Sequence, residues 1–210
     1  MKTEQLIQSL ATQAVPIKAT SYQRLMVEWL CLTLSSVIAI TFLYGLRADL
    51  SQQLSTTSYQ IEIMANSMLF LFSGFGAIHL AYPRKLSKLV PTSLVIVAAI
   101  YIAAILYKIA TPTEQAVDIH HDHSIYCLLC ILSFAAIPAI YMLWRLKHLA
   151  TTNPAILGAL SLLMATSAGA IGVLLVESEV VSTGLILWHY LPLAIISALG
   201  YAIGKKIFRW

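Results

Sequence analysis

Charged side chains are scarce in this 210-residue chain, with only 13 Lys and Arg and 9 Asp and Glu. Hydrophobic residues make up 59% of it, and an apolar surface of that size is not expected to stay soluble, because exposed apolar patches aggregate or bind. The sequence also lacks a Ser-His-Asp arrangement, a Walker phosphate-binding loop and a pair of catalytic carboxylates. These absences argue against an enzyme, and no cofactor is expected.

The apolar residues fall into six uninterrupted stretches, each close to the roughly 20 residues that a helix needs to cross a bilayer. They are residues 25–44, 63–82, 89–107, 125–144, 155–176 and 185–203. Only Glu28 places a formal charge inside any of them. The pattern predicts an all-α, polytopic membrane bundle of six transmembrane helices. Residues 1–24 form a cytoplasmic N-terminal segment, residues 25–204 the transmembrane domain and residues 205–210 a cytoplasmic tail, with a loop of about 18 residues (45–62) after the first helix.

The basic residues lie almost entirely on one side of these stretches. With a cytoplasmic N-terminus, Arg47 and Lys108 are the only two outside, and the other eleven of the 13 lie inside. Such a bias places both termini in the cytoplasm of a bacterial inner membrane protein. The net charge of +4 therefore indicates lipid anchoring and not direct contact with nucleic acid. No cleavable signal peptide is expected, since the first 24 residues lack an apolar core.

The segment before the first stretch differs in character. Leu6, Ile7 and Leu10 recur at helical spacing and predict a short amphipathic helix that Pro16 ends. Such a helix is marginal alone in water. It either lies on the membrane surface or docks its apolar stripe in a groove on a cytoplasmic partner, and its periodicity does not separate the two.

Cysteine and histidine gather near the outer end of the bundle. Cys127 and Cys130 form a CxxC on one face of the fourth helix, where a disulfide or a reactive thiol is one interpretation and two inert buried residues the other. His189 lies at a similar depth in the sixth helix. Outside, the candidate metal ligands are His120, His121 and His123, although the run fixes no ligand spacing and a solvated loop is the favoured interpretation.

The middle of each stretch carries mainly Ser as its polar residue, and no internal repeat is evident, which argues against a solute carrier. A membrane thiol-disulfide oxidoreductase using the CxxC is the main alternative, but it lacks a second cysteine pair to relay electrons. Gly200 and Gly204 form a GxxxG spacing, and Gly169 and Gly172 belong to further small-residue pairs. These pack helices either within one subunit or across a homodimer.

Several local sequences in order resemble the NrsF family of six-helix membrane anti-sigma factors over essentially the whole chain. They are the opening Met-Lys-Thr-x-x-Leu-Ile at 1–7, Gly-Leu-Arg-Ala-Asp-Leu at 45–50, the helix of Cys130 with Pro138, Leu-Trp-His at 187–189, and the ending Gly-Lys-Lys-Ile-Phe-Arg-Trp at 204–210.

The resemblance implies a protein that sequesters an extracytoplasmic-function sigma factor at the inner membrane face and releases it on an envelope stress signal. It makes Leu6, Ile7 and Leu10 the docking stripe and places the sensing end outside, where Cys127, Cys130 and His189 are the candidate sensing residues. Family members resemble one another in carrying a Cys on the fourth helix and another just before the sixth. This chain has Cys130 at the first position but Val-Glu-Ser-Glu at 176–179 near the second. Either Cys127 takes the partner role or this chain senses something else.

Overall fold

The structure is a computed structural model that describes residues 3–13, 21–82, 89–110, 121–177 and 183–208. Within these ranges the chain forms helices and no strand, so the all-α fold is confirmed. The helices are α1 (Thr3–Gln13), α2 (Tyr22–Tyr44), α3 (Leu50–Gln53), α4 (Thr57–Leu80), α5 (Leu89–Ala110), α6 (His121–Leu146), α7 (Pro154–Val176) and α8 (Thr183–Ile207).

Four of the described helical segments are long and apolar enough to cross a membrane: α2, α4, residues Tyr126–Leu146 of α6, and α7. A further stretch in α5, Val95–Tyr107, is apolar but shorter. These lengths indicate a membrane protein, since each of the four exceeds the roughly 20 residues of a span. The predicted count of six spans stays a prediction.

Helix α7 is the centre of the bundle. Of the 18 consecutive residues that form its apolar segment, 78% are buried, against 28% in the corresponding segment of α2. Helix α7 packs against α4, α6 and α8. The N-terminus of α7 is capped by Asn153, whose side chain accepts a hydrogen bond from the Ile156 amide at 3.3 Å, and Pro154 occupies its first turn. A helix buried on nearly every side has no room for charge, and α7 contains none.

Glycines bring α7 and α8 into backbone contact. A Cβ placed on Gly158 would lie 2.2 Å from the carbonyl oxygen of Gly200 and 2.7 Å from the Cα of Gly204. A Cβ on Gly204 would lie 2.3 Å from the carbonyl oxygen of Pro154. The interpretation that the GxxxG glycines pack helices within one subunit is therefore confirmed for this pair.

A tryptophan fills the space between α2, α4 and α7. Trp29 is fully buried, and its indole N–H donates to the sulfur of Met164 over 3.0 Å. The ring lies over Gly74, where an added Cβ would come within 2.2 Å of it. An aromatic side chain that satisfies its N–H while packing on glycine fixes the spacing of three helices.

Contacts at the helix ends show which ends lie together. The rings of Tyr22 and Tyr82 meet at 5.7 Å, and Thr151 donates to the carbonyl oxygen of Leu80 at 3.0 Å. The starts of α2 and α7 therefore lie beside the end of α4, together with the ends of α6 and α8. We call this the basic end of the bundle, because its described residues include Arg24, Arg145, Lys147, Lys205 and Lys206. The charge segregation agrees with the predicted topology, while the cytoplasmic orientation stays a prediction.

The predicted loop over residues 45–62 is wrong in extent. α3 forms inside it, and α4 already begins at Thr57. The start of α4 was missed because its polar residues interrupt the apolar stretch. Tyr59, Glu62 and Asn66 are nevertheless buried at helical spacing. Glu62 is consequently a second carboxylate inside an apolar helix, 5% exposed, and not the last residue of a loop.

We predict that Gly158→Ala or Gly200→Ala destabilises the detergent-solubilised protein by about 1–3 kcal/mol, because each new methyl overlaps backbone that cannot move aside. Ala198→Val adds more volume to the exposed face of α8 and serves as the matched control. Thermal unfolding followed by circular dichroism measures the difference. Equal melting temperatures for the glycine variants and the control would contradict the close contact.

Candidate functional site

The segment predicted to dock a partner is helical over Thr3–Gln13, as α1, and its docking role stays a prediction. Ile7 is 62% exposed, whereas the side chains of Leu6 and Leu10 lie outside the described part of the structure. Glu4 lies in the first turn, where a negative charge favours the helix dipole. The helix thus presents at least one large apolar side chain to its surroundings.

The predicted histidine sites remain predictions. His120 lies outside the described residues. His121 and His123 belong to the first turn of α6, and His189 belongs to α8, but the positions of their side chains are not described. Among the residues that the structure does describe, no three His, Cys, Asp or Glu side chains are grouped as metal ligands.

Cys127 and Cys130 face the interior from one side of α6. Cys127 is fully buried, Cys130 nearly so, and both thiols are free. They pack in a cluster with Ile131, Phe134 and Val173, the last from α7. The structure therefore brings the two cysteines together on one face, as expected, but in a closed apolar environment that excludes solvent.

A carboxylate at the end of α7 reaches these cysteines. Glu177 follows the last residue of α7, and its side chain approaches the Cys127 thiol as a hydrogen-bond acceptor and acts electrostatically on Cys130. The sequence analysis met Glu177 only within the Val-Glu-Ser-Glu run at 176–179 and did not pair it with either thiol. The contact between Glu177 and Cys127 thus joins the end of α7 to α6.

Arg47 fastens the connection after α2 to the same end of α7. Its backbone N–H donates to the carbonyl oxygen of Leu175 at 3.1 Å. Its guanidinium makes two hydrogen bonds to the carboxylate of Asp49, at 2.7 and 2.9 Å, and lies 5.6 Å from the ring centroid of Tyr59. A bidentate, charge-assisted pair of this kind is among the stronger polar contacts that a protein makes. We call Arg47, Asp49 and Tyr59, with their contacts to the end of α7, the arginine clasp.

Two further contacts extend the arginine clasp. Tyr59 donates its hydroxyl to the carbonyl oxygen of Leu174 at 2.8 Å, and Gln53 donates to Asp49 at 3.1 Å. The hydrogen bonds from Arg47 lower the pKa of the Asp49 carboxyl from 3.8 to about 2, and the Asp49 carboxylate in turn raises the pKa of Arg47. The connection after α2 is thereby joined to α3, α4 and α7.

Glu62 lies deeper, between the arginine clasp and the cysteines. Its carboxylate acts electrostatically on Tyr59, Cys127 and Tyr190, which belong to α4, α6 and α8. Asn66, one turn along α4, donates its side-chain N–H to the Glu62 carbonyl oxygen at 2.9 Å. Across the same region the Tyr101 hydroxyl of α5 donates to the backbone oxygen of Tyr190. Polar groups at this end therefore connect α4, α5, α6, α7 and α8.

The basic end holds a second charged network. Glu28 of α2 accepts hydrogen bonds from Arg24 at 2.6 Å, from Arg145 of α6 at 3.0 Å and from the Tyr141 hydroxyl at 3.1 Å. The sequence analysis noted Glu28 as the one formal charge inside an apolar stretch but did not identify its partners. Only the antiparallel pairing of α2 and α6 brings residues more than a hundred positions apart into one network.

The two ends carry different polar groups. The end with the arginine clasp holds buried thiols and carboxylates on several elements. The basic end carries charged side chains, and α1 precedes α2, whose start lies at this end. Neither arrangement resembles the relay of paired cysteines that a thiol oxidoreductase needs.

The sequence matches the NrsF family, described as negative regulator of sigma F, over residues 10–210. The class is therefore that of transcriptional regulators that act on a sigma factor, which is not a class of enzymes. The chain belongs to the NrsF family, and it is a negative regulator of a sigma factor. No curated protein and no solved structure matches it.

We predict that Asp49→Asn lowers the melting temperature at neutral pH, because it removes the charge that Arg47 binds. A depressed carboxyl pKa contributes stability that is fully present above pH 3.8 and is lost as the pH falls toward 2. The melting temperatures of wild type and variant should thus converge over that interval. A difference that is unchanged by pH would contradict the role of the ion pair.

We also predict that a maleimide labels only Cys31 in the folded, detergent-solubilised protein, because Cys31 is exposed and the other two cysteines are buried. Mass spectrometry of the labelled chain should show one adduct, and three after unfolding in SDS. Cys31→Ser is the matched control and should leave no adduct in the folded protein. Rapid labelling of Cys127 in the native state would refute the closed thiol environment.

Proposed function

We propose that this protein is an anti-sigma factor of the bacterial cytoplasmic membrane. It binds an extracytoplasmic-function sigma factor at the basic end, keeps it from RNA polymerase, and releases it when an envelope stress signal changes the opposite end. The observation that carries the proposal is the family match over residues 10–210 in a chain with four apolar helices long enough to span a bilayer. The extreme segregation of basic residues supports the assignment of the basic end to the cytoplasm.

The sigma factor docks on α1 through Leu6, Ile7 and Leu10. This assignment is supported by the helix itself and by the exposure of Ile7. An apolar stripe on a short helix gains most of its stability by packing into a groove of a partner. The family match begins at residue 10, so the assignment of Leu6 and Ile7 rests on α1 itself and not on the match.

The signal acts near the outer end of the bundle, on Cys127, Cys130 and His189. The candidate metal ligands at that end are His120, His121 and His123. The contact of Glu177 with Cys127 supports this placement, because it links the thiols to the arginine clasp and α7. Six spans, cytoplasmic residues 1–24 and 205–210, and contact with the lipid bilayer belong to the same proposal. A homodimer is compatible with it, but the GxxxG glycines are occupied within the subunit.

Two experiments test the docking site. The tagged chain is purified from its native membranes under unstressed conditions, and co-purifying proteins are identified by mass spectrometry. We predict that a sigma factor accompanies the wild type and is lost from a variant without residues Thr3–Gln13. Ile7→Asp, which buries a charge in the proposed interface, should reduce recovery at least tenfold and raise transcription from the promoter of that sigma factor.

Gln5→Asp introduces the same charge on the polar face of α1 and is the matched control, so it should retain the sigma factor. Equal recovery with Ile7→Asp would exclude the stripe as the docking site. The absence of any sigma factor from all samples would refute the membrane anti-sigma proposal as a whole.

A further inference from the structure

A groove of about 600 Å³ runs between α2 and α6 at the basic end. Cys31 and Ser35 line it from α2, and Tyr141 and Trp144 line it from α6. Glu28 and Arg145 close its polar end. Nothing in the proposed docking or sensing uses this groove.

The groove is continuous with an exposed apolar surface. On α2, Leu34 and Ile38 lie on the same face as Cys31 and Ser35, at 56% and 55% exposure. On α6, Ile140 at 68% and Trp144 at 55% flank the opposite wall. Because both helices are long and apolar enough to span a bilayer, this surface faces lipid tails and not water. Its natural occupant is an apolar chain.

The polar end of the groove carries a net positive charge. Glu28 binds both Arg24 and Arg145, so two guanidinium groups face one carboxylate. The Arg24 side chain is 74% exposed and donates only its Nε–H to Glu28 in the described contacts. The other guanidinium N–H groups match the oxygens of a phosphate.

The dimensions fit one membrane leaflet. From Glu28 to Ile38, α2 rises by about 15 Å at 1.5 Å per residue. That is half of the roughly 30 Å hydrocarbon layer. A phosphate held at Arg24 and Arg145 would therefore leave an attached acyl chain the length of the groove in which to lie.

We infer that this groove binds an anionic phospholipid, with the phosphate against Arg24 and Arg145 and one acyl chain between α2 and α6. The inference rests on the proposed membrane location but not on the sigma factor. Bound lipid would fill the space between the two helices and hold them at the spacing that the Glu28 network sets.

The test uses delipidated full-length protein in detergent and native mass spectrometry. Phosphatidylglycerol and phosphatidylcholine with identical acyl chains are added separately. We expect phosphatidylglycerol to bind more tightly, and Arg24→Gln to weaken it about fivefold, as expected for one basic residue at a membrane surface. Lys205→Gln is the matched control, because it removes one charge at the same end from α8, where the ammonium lies 4.4 Å from the Tyr201 ring centroid.

Ser35→Phe fills the apolar part of the groove and should abolish the tightly bound lipid, whereas Ala198→Phe on the exposed face of α8 should not. In a second measurement, phosphatidylglycerol should slow maleimide labelling of Cys31 in the wild type and not in Ser35→Phe. Continued protection of Cys127 and Cys130 shows that each variant is folded.

Equal binding of both lipids, unaffected by Arg24→Gln and Ser35→Phe, would overturn the inference. Displacement of the lipid by inorganic phosphate alone would also overturn it, since the apolar groove would then contribute nothing to the affinity for the lipid. A dimer that Ser35→Phe dissociates, with no bound lipid, would assign the groove to a second copy instead. None of these results bears on recovery of the sigma factor, so the two proposals fail separately.

Discussion

The close approach of α7 to α8 is the contact on which the rest of the bundle depends. Gly158, Gly200 and Gly204 let two backbones touch, which only residues without a Cβ permit. In a bilayer there is no hydrophobic force between apolar helices, so dispersion over such a close contact has to supply the attraction. With α8 held on one side, α7 is free to receive α4 and α6 on the others.

A fully packed apolar centre forces the polar chemistry to the two ends. Asp, Glu, Arg and Lys are expensive within a bilayer unless they are paired. The arginine clasp and the Glu28 network both follow this rule, since each arginine meets a carboxylate. Glu62 is the buried exception inside α4: it is 5% exposed, and its carboxylate acts electrostatically on Tyr59 and Tyr190.

Much of the fold was predictable from the sequence because apolar length is a strong signal. The starts and ends of α5 and α7 agree with the predicted stretches to within a few residues, and the family was identified from short motifs in order. The start of α4 was not predictable by the same signal, since polar residues from Thr57 to Glu62 hide an inward face of Tyr59 and Glu62. Partners distant in sequence, such as Glu28 with Arg145 or Arg47 with Leu175, depend on which helices are neighbours, and hydropathy does not encode that.

The burial of the thiols constrains how a signal can act. A reagent or metal ion reaches Cys127 only if the contact between α6 and the end of α7 opens, because no surface of that side chain is exposed. A signal that binds only the open form shifts the equilibrium toward it, by as much as its affinity differs between the two forms. Opening would separate Glu177 from Cys127. It would also stretch the hydrogen bonds that Arg47 and Tyr59 donate to the last turn of α7. Since the first turn of α7 lies at the basic end, a shift of this one helix would carry a change at the thiols to the end where we propose that the sigma factor binds.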